Sequence, residues 1–135
     1  MNLRLSAAME YLMVGLSVIP VRADGSKIPS VLWENYQKRK PTLQELEKWF
    51  RWDKVGVGVI CGKISGNLEI LDFDDTDVFE PWENLTRALL PTIIDTFVIV
   101  QTPRGGRHVY YRCEEIEGNR KLARQLVNGK RTIRI

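Results

Sequence analysis

The segment Leu68-Glu-Ile-Leu-Asp72-Phe-Asp74 constrains the fold more than any other stretch of the chain. In extended backbone alternate side chains share a face, so Asp72 and Asp74 project together from the end of an apolar strand. Two carboxylates held side by side repel unless a cation lies between them, and hard oxygen ligands of this kind suit Mg²⁺ or Mn²⁺. Further along comes Thr102-Pro-Arg-Gly-Gly-Arg-His108-Val-Tyr-Tyr111, again tied to an apolar strand. There Gly105 and Gly106 let backbone N–H groups approach a phosphate, while Arg104, Arg107 and His108 supply donors or positive charge. A carboxylate pair facing a phosphate cradle points to chemistry on a nucleotide.

The remaining elements place these motifs. Leu5, Met9, Leu12, Met13 and Leu16 recur at helical spacing, and residues 17–21 read as a short strand. In the polar loop that follows, Lys27 reads as a solvated lysine rather than a ligand contact. Thr42 and Glu45 form a capping box, opening a helix whose Leu43, Leu46, Trp49 and Phe50 face the core. Residues 55–61, Val-Gly-Val-Gly-Val-Ile-Cys, have a buried-strand pattern thinned by two glycines, which suggests close approach by another backbone or a ligand. After the turn-rich 62–67, a hairpin between that strand and the aspartate strand is the simplest topology. Asp77 and Glu80 precede a helix through Trp82, Leu85, Ala88 and Leu89; residues 97–100 and 107–112 are strands joined by the glycine loop. Past Gly118 a basic helix over 119–127 is expected, then a strand over 131–135 with no turn or polar tail after it. These elements predict an α+β fold with a largely antiparallel or mixed sheet and flanking helices. The aspartate strand and the 107–112 strand should share one sheet, with Asp72 and His108 on opposite sides of one cleft.

Composition limits the alternatives. At 135 residues and 44% hydrophobic the chain is expected to be one domain, or most of one, with a real core. Twenty basic against seventeen acidic residues is too mild an imbalance to indicate nucleic acid by itself. Cys61 and Cys113 have no second Cys or His at ligand spacing, which argues against structural zinc and for reduced thiols in a cytoplasmic protein. Arg4 and Glu10 interrupt the apolar N-terminal stretch, which is neither signal peptide nor membrane span.

Taken singly, an Asp-x-Asp at a strand end and a Gly-Gly before a histidine are weak signals. Together with Gly56-Val-Gly-Val-Ile-Cys-Gly62, Ser65-Gly66 and the upstream Ile19-Pro20, Lys27-Ile-Pro29, Trp33, Thr42 and Trp49, in this order and spacing, they resemble a known family. It is the N-terminal domain of bifunctional DNA primase-polymerases of the archaeo-eukaryotic primase superfamily, found on plasmids, phages and integrated elements. The resemblance implies a primase-like catalytic domain that transfers nucleotides from ribo- or deoxynucleoside triphosphates onto a strand templated by single-stranded DNA, with Mg²⁺ or Mn²⁺. A helicase domain in the same parent chain is a further implication. It assigns Asp72 and Asp74 to the metals and Gly106-Arg-His108 to the motif whose histidine contacts the nucleotide's phosphates. Arg104, Gly105 and Lys63 are added as nucleotide contacts from the residues themselves; the family often has a smaller residue at Arg104, and a solvated turn lysine is the competing reading of Lys63. The family's third motif, a further acidic residue, is expected past Ile135, so residues 1–135 are expected to be a fragment that stops short of it and is of itself weakly active or inactive.

Two other readings exist. Asp72-Phe-Asp-Asp-Thr76 satisfies the Asp-x-Asp-x-Thr nucleophile motif of haloacid-dehalogenase-like phosphatases, although no Asp occurs after Thr102 to complete such a site. The other is a non-catalytic nucleotide- or DNA-binding module of a replication protein.

Overall fold

The computed structural model describes residues 2–51 and 54–135. By internal contacts the chain divides into two compact units, Met1–Leu68 and Glu69–Ile135. Both mix helices with antiparallel strand pairs, as the alternating periodicities predict.

The first unit starts with α1 (Leu3–Met13), capped by Asn2, whose Oδ1 accepts the Leu5 N–H at 3.1 Å. Its Leu5, Ala8, Met9 and Leu12 pack with Val18, Leu46 and Phe50 in one core cluster; Met13, expected on that face, is exposed. Strand β1 (Ser17–Arg22) pairs antiparallel with β2 (Val55–Ile60), Val21 opposite Gly56 and Ile19 opposite Gly58. A Cβ on Gly56 or Gly58 would come within 3.0 Å or 2.9 Å of the Val21 methyls. The two glycines therefore make room for a branched side chain on the neighbouring strand, not for a ligand or backbone. This complementarity also explains why the expected hairpin of β2 with the aspartate strand does not form. β2 takes β1 as its partner, and among the described residues an isolated Gly62–Leu68 bridge joins β2's end to the start of the aspartate strand.

Between the strands, a 3₁₀ turn over Trp33–Gln37 leads to α2 (Leu43–Trp49), where the predicted capping box is formed. Glu45 does more than cap. It accepts from Thr42 N at 2.8 Å, from both terminal nitrogens of Arg39 at 2.8 and 2.7 Å, and from the Tyr36 hydroxyl at 2.9 Å. Tyr36 is buried edge-on to Trp49, with ring centroids 5.1 Å apart. Leu46 and Phe50 are fully buried, but Leu43 is half exposed, because it sits on the first turn away from the core face.

The second unit holds a three-stranded sheet in the order β3-β5-β4, formed by β3 (Leu68–Phe73), β4 (Val98–Gln101) and β5 (Arg107–Arg112). β4 and β5 are antiparallel, Val98 opposite Tyr110 and Val100 opposite His108. Glu69 meets Tyr111 while Asp72 meets His108, so β3 also runs antiparallel to β5. The face carrying Leu71, Phe73, Val109 and Ile99 packs against α3 (Thr76–Leu89) through Phe79 and Trp82. Phe73 lies edge-on to Phe79 at 5.3 Å and tilted to Trp82 at 5.0 Å. α3 begins earlier than expected, with Asp75 as its cap, so Asp77 and Glu80 lie inside it; Leu85, Ala88 and Leu89 point to solvent. A single turn, α4 (Pro91–Ile94), precedes β4.

No helix forms over 119–127. Instead β6 (Arg124–Val127) and β7 (Lys130–Ile133) make an antiparallel ribbon. Its two-residue turn, Asn128-Gly129, has both φ angles positive, at 50° and 76°, the geometry that matches the twist of hairpin strands and that Asn-Gly favours. That turn signal, with the β-branched residues beside it, outweighs the helical propensity of the basic residues.

Candidate active site

All of the site's geometry lies within the second unit. Because Asp72 is outward on β3 and His108 outward on β5, the two become cross-strand neighbours on the face opposite the core. His108 Nε2 is 3.3 Å from Asp72 Oδ1, so the pair is in contact rather than on opposite sides of a cleft as expected. The Asp72 side chain is 68% exposed and that of His108 27%. Asp74, one residue past the strand, is also exposed, and its backbone N–H donates to the Arg134 carbonyl at 3.1 Å.

Sequence reasoning missed Tyr110. Two residues after His108 on the same strand face, its hydroxyl lies 3.3 Å from His108 Nδ1. An ionised carboxylate only accepts, so the contact with Asp72 requires a proton on Nε2; in the neutral ring Nδ1 is then the acceptor for the tyrosine O–H. The period-two spacing His108-x-Tyr110 carried this signal. It also missed Asp75, whose Oδ1 accepts the Val78 N–H at 3.2 Å and whose other oxygen pairs with Arg134. That carboxylate is committed to the start of α3 and leaves Asp72 and Asp74 as the available pair.

The glycine loop has a different role from the one its sequence suggested. Gly106 is buried, and a Cβ there would meet the Phe73 carbonyl at 2.3 Å and both the Asp74 carbonyl and Thr102 Oγ1 at 3.0 Å. Its missing side chain lets the β4–β5 turn close onto the backbone that carries the aspartates. Gly105 has open space around it but φ of +86°, which favours glycine. Its N–H is used within the turn, donating to the Thr102 carbonyl at 3.0 Å, and its carbonyl accepts from Thr76 Oγ1 at 3.2 Å.

Arg107 does not join His108. It shares the core-side face with Val109, donates to the Gly105 and Gly106 carbonyls at 3.1 and 2.9 Å, and lies 5.5 Å from the centre of the Phe79 ring. Alternation along β5 sends adjacent residues to opposite faces, so these two cannot act side by side from a regular strand. Arg104 is exposed on the turn. Lys63 and Lys27 belong to the first unit and are exposed there.

Chemically, the site offers two exposed carboxylates at the end of β3, that of Asp72 beside an imidazole donor. Mg²⁺ characteristically binds through one or two carboxylates and completes its shell with waters and substrate phosphates, so Asp72 and Asp74 fit such an ion. Among the described residues no group of three or more His, Cys, Asp or Glu forms a full protein cage. Among the described residues no disulfide joins Cys61 and Cys113, and no helix is long and apolar enough to cross a membrane.

None of the curated proteins matches the chain. The family of bifunctional DNA primase/polymerase N-terminal domains does match, over residues 8–135. With nearly its whole length inside that match, the chain belongs to this family and is a domain of DNA primase/polymerase type.

Proposed function

We propose that the domain carries out template-directed nucleotidyl transfer from nucleoside triphosphates, with Asp72 and Asp74 holding Mg²⁺ or Mn²⁺ and His108 holding phosphate. The observation that carries this is the cross-strand placement of Asp72 and His108, 3.3 Å apart on the exposed sheet face. In the reaction a 3′-hydroxyl oxygen bonds to the α-phosphorus, the bond to the β,γ-diphosphate breaks, pyrophosphate leaves, and the hydroxyl proton passes to solvent. Divalent metal would lower the hydroxyl pKa and offset the charge that develops on the phosphates. The chain's residues do the positioning. Asp72 would hold the cation and His108 Nε2–H would donate to a phosphate oxygen, with the Tyr110 hydroxyl at Nδ1 keeping the ring in place. Packing of Gly106 on Phe73 and Asp74 sets the spacing between the two halves of the site. Single-stranded DNA is the templating partner on this reading, and a helicase domain of the same parent chain would expose it.

The phosphatase reading of residues 72–76 is not retained. The chain belongs to another family, Asp75 is engaged as a helix cap, and Thr76 is held by the Gly105 carbonyl.

The test is extension of a labelled primer on single-stranded template with Mg²⁺ or Mn²⁺, in this chain and in one continued past Ile135. Extension is expected in the longer chain, and Asp72→Asn with Asp74→Asn should abolish it while leaving the circular dichroism unchanged. Full extension by that folded double variant refutes the proposal.

A further inference from the structure

The chain's positive charge is segregated. Residues 118–135 contain six basic side chains and no acidic one, whereas residues 1–117 contain fourteen basic and seventeen acidic. The net +3 is therefore a −3 body carrying a +6 segment, and that segment is the β6–β7 ribbon with its approaches. Two of the six are neutralised locally, Arg120 by Glu117 and Arg134 by Asp75. Lys121, Arg124 and Lys130 are exposed and, among the described residues, form no ion pair.

The ribbon is also anchored at its base. Its ladder continues past the strands, with Leu122 N donating to Ile135 O and Arg134 N to Ala123 O, both at 2.9 Å, and its base is tied to the site through Asp74 N to Arg134 O. From Arg134 to the Asn128-Gly129 turn it extends roughly 17 Å at the usual rise per residue. Among the described residues, none from 124 to 133 belongs to a hydrophobic core cluster. Like charges along a ribbon of this kind repel and cost stability unless a polyanion lies against them.

We infer that the β6–β7 ribbon is a nucleic-acid arm that holds the phosphodiester backbone of a single strand leading to the Asp72–His108 site. The choice of a single strand rests on the proposed function, which needs unpaired bases at the site. The charge complementarity does not depend on that reading. Binding of this kind releases counterions, lowering log K by about 0.7 per unit log salt for each single-strand phosphate neutralised.

The experiment measures binding of a labelled single-stranded oligonucleotide to the whole chain by fluorescence anisotropy across a salt series. Comparison is with the Lys121→Gln, Arg124→Gln, Lys130→Gln triple variant and with a charge-preserving Lys121→Arg, Arg124→Lys, Lys130→Arg variant. Removing three phosphate contacts should make the salt slope shallower by about 2, and the charge-preserving variant should keep the wild-type slope. An unchanged slope in the triple variant, or a change seen with duplex and not with single strand, overturns the inference. Asp72→Asn separates the two proposals: it should leave the salt slope at the wild-type value whatever it does to primer extension. Absence of extension in every chain, with the slope difference intact, would remove the nucleotidyl-transfer reading and leave the arm standing.

Discussion

Gly106→Ala tests the packing that joins the two halves of the site. The added methyl would sit 2.3 Å from the Phe73 carbonyl oxygen, against ordinary contact from about 3.4 Å, with the Asp74 carbonyl and Thr102 Oγ1 each at 3.0 Å. Two of the three obstacles are backbone, so no rotamer change relieves them. The turn tip or the end of β3 must move by roughly 1 Å. Overpacking typically costs 1–3 kcal/mol, and rigid neighbours on two sides put this case near the top, at about 3 kcal/mol. For a unit of this size that is a fall in Tm of roughly 10 °C or more. Gly105→Ala is the matched control: nothing lies within 4 Å of its Cβ, and only the positive φ is strained, at about 1 kcal/mol. Urea unfolding followed by circular dichroism should rank the variants wild type, Gly105→Ala, Gly106→Ala in falling stability. Because a 1 Å displacement at a reacting centre can cost about a hundredfold in rate, extension should fall further than stability does. A Gly106→Ala protein as stable as wild type, or more stable than Gly105→Ala, would refute the close-approach account.

Three further outcomes follow from the geometry. His108→Ala should weaken triphosphate binding by about 1.5–3 kcal/mol in a titration, while Arg107→Ala, whose guanidinium bonds backbone carbonyls, should leave that affinity alone and lower stability by about 1–3 kcal/mol. Tyr110→Phe should keep the fold but change the ¹⁵N tautomer signature of the imidazole, which is readable because the chain has one histidine; an unchanged spectrum would separate Tyr110 from His108. The Arg39 guanidinium, with the Thr42 N–H and Tyr36 hydroxyl adding to it, holds the Glu45 pKa down to about 2 from 4.5. A depressed carboxylate stabilises fully above its unfolded pKa and loses that contribution as pH falls through the folded one, so the window is from 4.5 down to about 2. The shift alone would be about 3 kcal/mol, but Arg39 is half exposed and solvent screening reduces the expected effect to about 1 kcal/mol, which Glu45→Gln should remove from the acid limb of the stability–pH curve.

The amino-acid sequence by itself determined what depends on neighbours along the chain. The capping box at Thr42 and Glu45 and the β5 strand from Arg107 to Arg112 follow from local spacing, and the order of motifs identified the family. What only the tertiary structure decided is which segments meet. β2 chose β1 because Gly56 and Gly58 accommodate Val21, an encounter between residues far apart in sequence. Gly106 reads as a phosphate-cradle glycine until the backbone of Phe73 and Asp74 is found against it. Strand alternation put His108 and Arg107, adjacent in sequence, on opposite faces, yet which face was core depended on Val109 and Phe73 packing beneath α3. The 119–135 segment shows the limit most plainly. Its basic residues have helical propensity, but an Asn-Gly turn with two positive φ angles joins two strands whose pairing stabilises them only once both are formed, and local propensity does not contain that cooperative term.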